Sequence, residues 1–139
     1  MWINNKDRCL DVPGWSTRNG TGLDAWDCQH QNNERWIPVG PFTGRGGHIV
    51  FLIKNAHSGK CINDPGYSRA NGTRLVQWTC RRSDSNSQWY EEDIGSYVIL
   101  HNAYSGKCLN IAGASTRNGA WLIQYTCRNT ASERVHIGG

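Results

Sequence analysis

The sequence predicts an all-β fold built from three pseudosymmetric repeats closed on one another. Three observations predict it. The six cysteines fall into three equal intervals, Cys9 to Cys28, Cys61 to Cys80 and Cys108 to Cys127, each nineteen residues apart. The intervening residues repeat as well: CLDVPGWSTRNGTGLDAWDC, CINDPGYSRANGTRLVQWTC and CLNIAGASTRNGAWLIQYTC. Composition is the third. Hydrophobic residues make up 37%, charged residues 19%, and there are 16 glycines, with too little Leu and Met for a helical bundle. Three copies are too few for a propeller, which needs about four blades. An open solenoid would leave two apolar ends uncapped. A closed threefold arrangement buries every repeat against the other two. The chain is read as one domain over residues 1–139, with repeats at approximately 1–46, 47–94 and 95–139.

The elements follow in order. The runs at 47–54 (GHIVFLIK) and 96–101 (SYVILH) are rich in β-branched and aromatic residues and read as strands leading into a repeat. The segments 55–61 (NAHSGKC) and 102–108 (NAYSGKC) then supply a Ser-Gly turn. Asn-Gly recurs at Asn19-Gly20, Asn71-Gly72 and Asn118-Gly119 and is read as a hairpin signal. Leu23 to Trp26, Leu75 to Trp78 and Leu122 to Tyr125 read as the strands after it. The segment 41–47 (PFTGRGG) reads as a loop insertion. About four strands per repeat give about twelve in all.

The cysteines place the chain in an oxidising compartment, so a secreted, extracellular protein is expected. Six cysteines permit many pairings. A unit present three times should pair its own cysteines each time, which gives Cys9–Cys28, Cys61–Cys80 and Cys108–Cys127. No CxxC pair or His-x-x-x-His spacing suggests zinc, so no metal and no cofactor are expected. No stretch approaches the ~18 apolar residues of a membrane span. No secretory leader precedes the first repeat, so an exported protein would be numbered here as a mature or excised piece, with Met1 an added start.

At the level of the repeat, the chain resembles the ricin-B-type lectins and the family 13 carbohydrate-binding modules of secreted glycoside hydrolases. The residues that carry the resemblance are Cys-Leu-Asp-Val-Pro-Gly, then Asn-Gly, then Trp-x-Cys, then a Gln-x-Trp-like ending, and it covers essentially the whole chain. It implies a β-trefoil with up to three sugar sites, one per repeat. The endings depart most from the pattern: Glu34-Arg35-Trp36, Ser87-Gln88-Trp89 after a one-residue insertion, and Glu133-Arg134-Val135 with no Trp. The missing Trp implies a less tightly packed third repeat.

The resemblance also implies the site residues, and sugar chemistry explains their types. An aromatic ring covers the C–H face of a pyranose. A carboxylate or an Asn amide holds the hydroxyl rim. In the first repeat these roles fall on Asp11, Asp24, Trp26, Asn33 and Glu34. Strand alternation puts Asp24 on the same face as Trp26. The second repeat offers Asn63, Asp64, Trp78 and Asn86, and the third Asn110 and Tyr125, with Glu133 and Ser132 at its end. The ranking expected is first, second, third. The competing structural reading makes Trp26, Trp78 and Tyr125 core aromatics and Asp11 a turn residue bonding its own backbone. Trp15 and Tyr67 occupy equivalent loop positions where the third repeat has Ala114, and either flank the sugar or pack on the disulfide. Trp2 and Trp121 have no counterpart and read as core or rim.

Other functions are disfavoured. Asp24 and Asp27 flank Trp26 but point to opposite faces of a strand, so they do not form a hydrolase pair. His30, His48, His57, His101 and His136 form no nucleophile–base signature. A net charge of +4 comes with scattered basic residues, Arg81-Arg82 being the densest pair, so nucleic acid is not expected. The expected function is carbohydrate binding without catalysis, through shallow multivalent sites. The expected partner is a polysaccharide or glycan of galactoside, xylan or arabinan type, with a tethered glycoside hydrolase domain. The alternative is a β-trefoil interaction protein, such as a protease inhibitor or a toxin's targeting part, with degenerate sugar sites.

Overall fold

Twelve strands run through the described residues in three sets of four. The computed structural model describes residues 1–3 and 8–137, Trp2 and Ile3 by backbone alone. The side chain of Trp2, expected at core or rim, therefore lies outside the described residues. The first set is β1 (Trp2–Ile3), β2 (Arg8–Asp11), β3 (Asp24–Trp26) and β4 (Trp36–Thr43). The second is β5 (Ile49–Asn55), β6 (Lys60–Asn63), β7 (Val76–Thr79) and β8 (Trp89–Asp93). The third is β9 (Val98–Asn102), β10 (Cys108–Ile111), β11 (Ala120–Tyr125) and β12 (Val135–His136).

Two layers result. The outer strands of each set pair in the order β4–β5–β8–β9–β12–β1 and form a barrel wall. The inner strands form three antiparallel hairpins, β2–β3, β6–β7 and β10–β11, that cap one end. This is a β-trefoil, and its three disulfides are Cys9–Cys28, Cys61–Cys80 and Cys108–Cys127, as the equal intervals require.

The cap closes on its axis through a ring of backbone hydrogen bonds. Leu23 N–H donates to the Leu75 carbonyl (2.9 Å), Leu75 N–H to Leu122 (2.9 Å) and Leu122 N–H to Leu23 (3.1 Å). All three leucine side chains are fully buried below it. Burying each stabilises by about 1.5–3 kcal/mol relative to leaving it exposed. The core continues through Leu10, Ile62 and Leu109 to Trp36, Trp89 and Val135. Trp36 Nε1 donates to the Leu10 carbonyl (2.8 Å) and Trp89 Nε1 to the Ile62 carbonyl (3.1 Å). Val135 is equally buried but carries no donor for the third equivalent bond.

Two expectations are corrected. The segment 41–47 is not all loop: Phe42 and Thr43 continue β4 and pair with Val50 and Ile49, past a register shift between Val39 and Phe42. Only Arg45–Gly47 forms a separate turn. Asn-Gly also does not close a two-residue hairpin. The paired residues Asp11 and Asp24 are joined by a long loop with Asn19-Gly20 along it. Each Asn instead clamps the neighbouring repeat. Asn19 Oδ1 accepts from Thr79 N–H (2.8 Å), Asn71 Oδ1 from Thr126 N–H (2.8 Å), and Asn118 Oδ1 from Asp27 N–H (2.8 Å). The glycines that follow hold φ of 90°, 88° and 87°, a region only glycine enters freely.

Candidate functional site

Each repeat carries a cleft on the flank of its capping hairpin, built from the same four pieces. In the first repeat the floor is Asp11, at the end of β2, with Asn33 from the one-turn 3₁₀ segment Asn32–Glu34. Trp26, at the end of β3, forms one wall. The opposite wall is Trp15, carried on the turn Pro13–Trp15. That turn places Gly14 and Trp15 at φ of 65° and 54°, a pair of left-handed residues that projects the indole outward. The cleft measures about 410 Å³ and also includes Gln29.

The second cleft, about 270 Å³, repeats the plan with Asn63, Asn86, Trp78 and Tyr67, and adds Arg81 and Asp84. The third, about 310 Å³, has Asn110, Ser132 and Tyr125, with Ala114 where the others carry an aromatic, and adds Arg128 and Thr130. Thus Asp11, Trp26 and Asn33 come together as expected, as do Asn63, Trp78 and Asn86, and Asn110 with Tyr125.

The aromatic walls are not core residues. Trp26 is 37% exposed, Trp78 39%, Trp15 43% and Tyr67 45%. Each outer ring is buttressed edge-on: Trp15 by the His57 ring at 4.8 Å, Tyr67 by Tyr104 at 5.0 Å. Those buttresses sit on turns held by buried asparagines that the sequence reading passed over. Asn55 Oδ1 accepts from the N–H groups of His57 and Ser58 (3.0 Å each), and its amide donates to the Asn33 carbonyl (3.0 Å). Asn102 does the same for Tyr104, Ser105 and the Asn86 carbonyl. Trp121 is 52% exposed at the rim, under the Arg74 guanidinium at 4.5 Å.

Three expected residues stand behind the clefts instead of lining them. Asp24 is buried opposite Asp11 in the β2–β3 register. Alternation put it on the correct face but not at the surface. Glu34 is buried and turned away, its Oε1 accepting from the Gln29 N–H at 2.6 Å. It lines a separate cleft of about 550 Å³ with His30 and Trp36. Asp64 is fully buried beneath the second repeat's turn.

Electrostatics in the first cleft follow from burial. Asp11 Oδ1 accepts from the Asn33 amide (2.9 Å), not from its own backbone. Burial, then the hydrogen bond and charge of Asp24, push the Asp11 carboxyl up to about 8. Burial raises Asp24 too, with Asp11 and the Arg74 guanidinium working the other way. Two carboxyls that face each other across the hairpin disfavour double ionisation, so the pair holds a proton to higher pH than free aspartates do. Burial also raises Glu34, offset in part by the Gln29 amide, and it raises Asp64 to about 7.

Comparison with known proteins agrees with the β-trefoil fold. Residues 39–125 match the sequence profile of the family described as ricin-type beta-trefoil lectin domain-like. Among solved structures, the chain is similar to ThreeFoil, a designed 3-fold symmetric protein, at 27% identity and TM-score 0.87, covering 96% of this chain and 91% of that one. It is similar to 1,3Gal43A, an exo-beta-1,3-galactanase from Clostridium thermocellum, at 23% identity and TM-score 0.85, covering 99% of this chain but 29% of that one. It is also similar to the C-half of the earthworm R-type lectin, at 12% identity and TM-score 0.66, covering 96% of this chain and 91% of that one. With three disulfide-stapled repeats, a β-trefoil scaffold and a matching profile over most of its length, this chain belongs to the ricin-type beta-trefoil lectin domain-like family.

Proposed function

We propose that this chain is a secreted, non-catalytic carbohydrate-binding domain whose main site for galactose-, xylose- or arabinose-type glycans is the first of its three clefts. The observation that carries the reading is the first cleft, where two exposed indoles flank a buried, hydrogen-bonded Asp11–Asn33 pair. One indole stacks on the C–H face of a pyranose ring and the polar pair holds its hydroxyl rim. Asp11, Trp15, Trp26 and Asn33 bind in the first cleft; Asn63, Tyr67, Trp78 and Asn86 in the second; Asn110 and Tyr125 in the third. Asp24, Glu34 and Asp64 support the floor from behind.

Binding without cleavage fits the carboxylates. Glycoside hydrolysis sets two carboxyl groups about 5–9 Å apart across the scissile bond. Asp11 and Asp24 instead face each other as register partners across the hairpin, and Asp24 does not line the cleft. We infer tethering as the role, with a glycoside hydrolase domain as the tethered partner. The same fold forms part of the longer Clostridium thermocellum galactanase chain.

The test is retention on insoluble xylan, arabinan and galactan, followed by calorimetric titration with the oligosaccharide of whichever is retained. Trp26→Ala should weaken binding at the first cleft by about 1–3 kcal/mol, the scale for losing an aromatic wall. No retention on any glycan, or full retention by Trp26→Ala at unchanged affinity, overturns the reading.

A further inference from the structure

The residue that follows the second cysteine of each repeat differs in charge and surroundings among the three clefts. In the first it is Gln29, beside the Asp11 carboxyl. In the second it is Arg81, whose Nη1 lies 4.0 Å from Asp84 Oδ2, so its charge is met inside the cleft. In the third it is Arg128, and no acidic side chain lines that cleft. Thr130 stands where Asp84 stands, at the head of the equivalent 3₁₀ turn. The Arg128 guanidinium lies over the Tyr125 ring at 4.7 Å.

The nearest carboxylate to Arg128 is spoken for. Glu133 is fully buried behind the cleft. Its oxygens accept from the backbone N–H groups of Arg128 (2.9 and 2.8 Å) and Asn129 (2.7 Å) and from the Asn110 amide (3.3 Å). A neutral pyranose would therefore meet one ring already covered by a cation, Ala114 in place of a second ring, and no acid. An anionic sugar would meet a guanidinium with open donors, beside the hydroxyls of Thr130 and Ser132.

We propose that the third cleft binds a sugar bearing a carboxylate or a sulfate, with Arg128 receiving the anionic group. This rests on the glycan-binding reading above and gives the domain two chemistries: neutral sugars in the first cleft, acidic ones in the third. The planar fork of Arg matches the oxygens of either anion, and the chain's net charge of +4 favours approach of an acidic polymer.

The experiment is calorimetric titration with three oligosaccharides of one length: neutral, uronate-bearing and sulfated. Proteins compared are the wild type, Arg128→Gln, Thr130→Asp and Trp26→Ala, each at low and at high salt. The wild type should prefer at least one charged sugar, and salt should erode that preference. Arg128→Gln should reduce the preference about tenfold, the scale of one charge-assisted contact. Thr130→Asp, which imports the second cleft's counter-charge and leaves Arg128 in place, should do the same. A preference confined to the uronate, or to the sulfate, identifies the anion. Trp26→Ala should lower neutral binding, marking the first cleft. Neutral binding that needs Trp26, with no charged preference or one that survives Arg128→Gln, overturns this proposal alone. No binding of any of the three sugars overturns the glycan reading with it.

Discussion

The Asp11–Asp24 pair sets how the first cleft responds to pH. An ordinary aspartate titrates near 3.8, and Asp11 here is raised to about 8. The folded protein thus holds a proton that the unfolded chain releases above about pH 4. Stability from this pair is greatest below the unfolded value, falls as pH rises toward 8, and is flat beyond. Asp64, raised to about 7, adds to the same slope. Asp24→Asn removes the neighbouring charge and can donate to the Asp11 carboxylate, so urea unfolding should lose less stability between pH 5 and 8 than the wild type does. An equal or steeper decline would contradict the proton held by the pair. The sequence made Asp11, Trp26 and Asn33 readable because each sits at a fixed offset from a cysteine or a repeat-ending Trp. It placed Asp24 by alternation, which reports a side chain's face and not whether it reaches the cleft, and Glu34 by its offset from Trp36, which does not report that its carboxylate turns back to the Gln29 N–H. Gln29, Arg81 and Arg128 also sit at one fixed offset from a cysteine, but the residue type changes between repeats, so no shared role marked the position.

At the scale of elements, the cleft walls depend on turns that touch no ligand. Asn55 is fully buried and holds the turn that brings His57 behind Trp15, while its amide pins the Asn33 backbone. Asn55→Ala leaves buried backbone groups without partners and should cost about 1–3 kcal/mol, read as a lower urea midpoint. It should also weaken sugar binding at the first cleft more than at the second, whose equivalent support is Asn102. The strands at 47–54 and 96–101 were legible from their β-branched runs. The true role of Asn-Gly was not, because Asn19, Asn71 and Asn118 make their decisive bonds to a different repeat, and sequence distance conceals that. The segment 41–47 misled for a related reason: its Pro and Gly content reads as loop, yet pairing with β5 carries Phe42 and Thr43 into the strand.

Across the whole molecule, each disulfide staples one hairpin of the cap. Cys108→Ser with Cys127→Ser should lower stability by about 3 kcal/mol in the chain-entropy model, measured by urea unfolding. Three clefts on one rigid body should bind a polymer about 10²–10⁴-fold more tightly than its monosaccharide. Polymer affinity equal to that of the monosaccharide would mean a single working cleft. The threefold plan was legible from the cysteine intervals together with the repeated residues between them, because one repeated unit demands one repeated environment. The clamps run from Asn19 to Thr79, from Asn71 to Thr126 and from Asn118 back to Asp27, and β1 pairs with β12. The circuit has no first member, so the order in which the chain visits the repeats is free to rotate. A circular permutant opened at the exposed Gly95 turn, with residue 137 linked to residue 1, keeps every clamp and all three clefts. It should fold with the same disulfides and the same sugar preference, which peptide mapping and titration would establish.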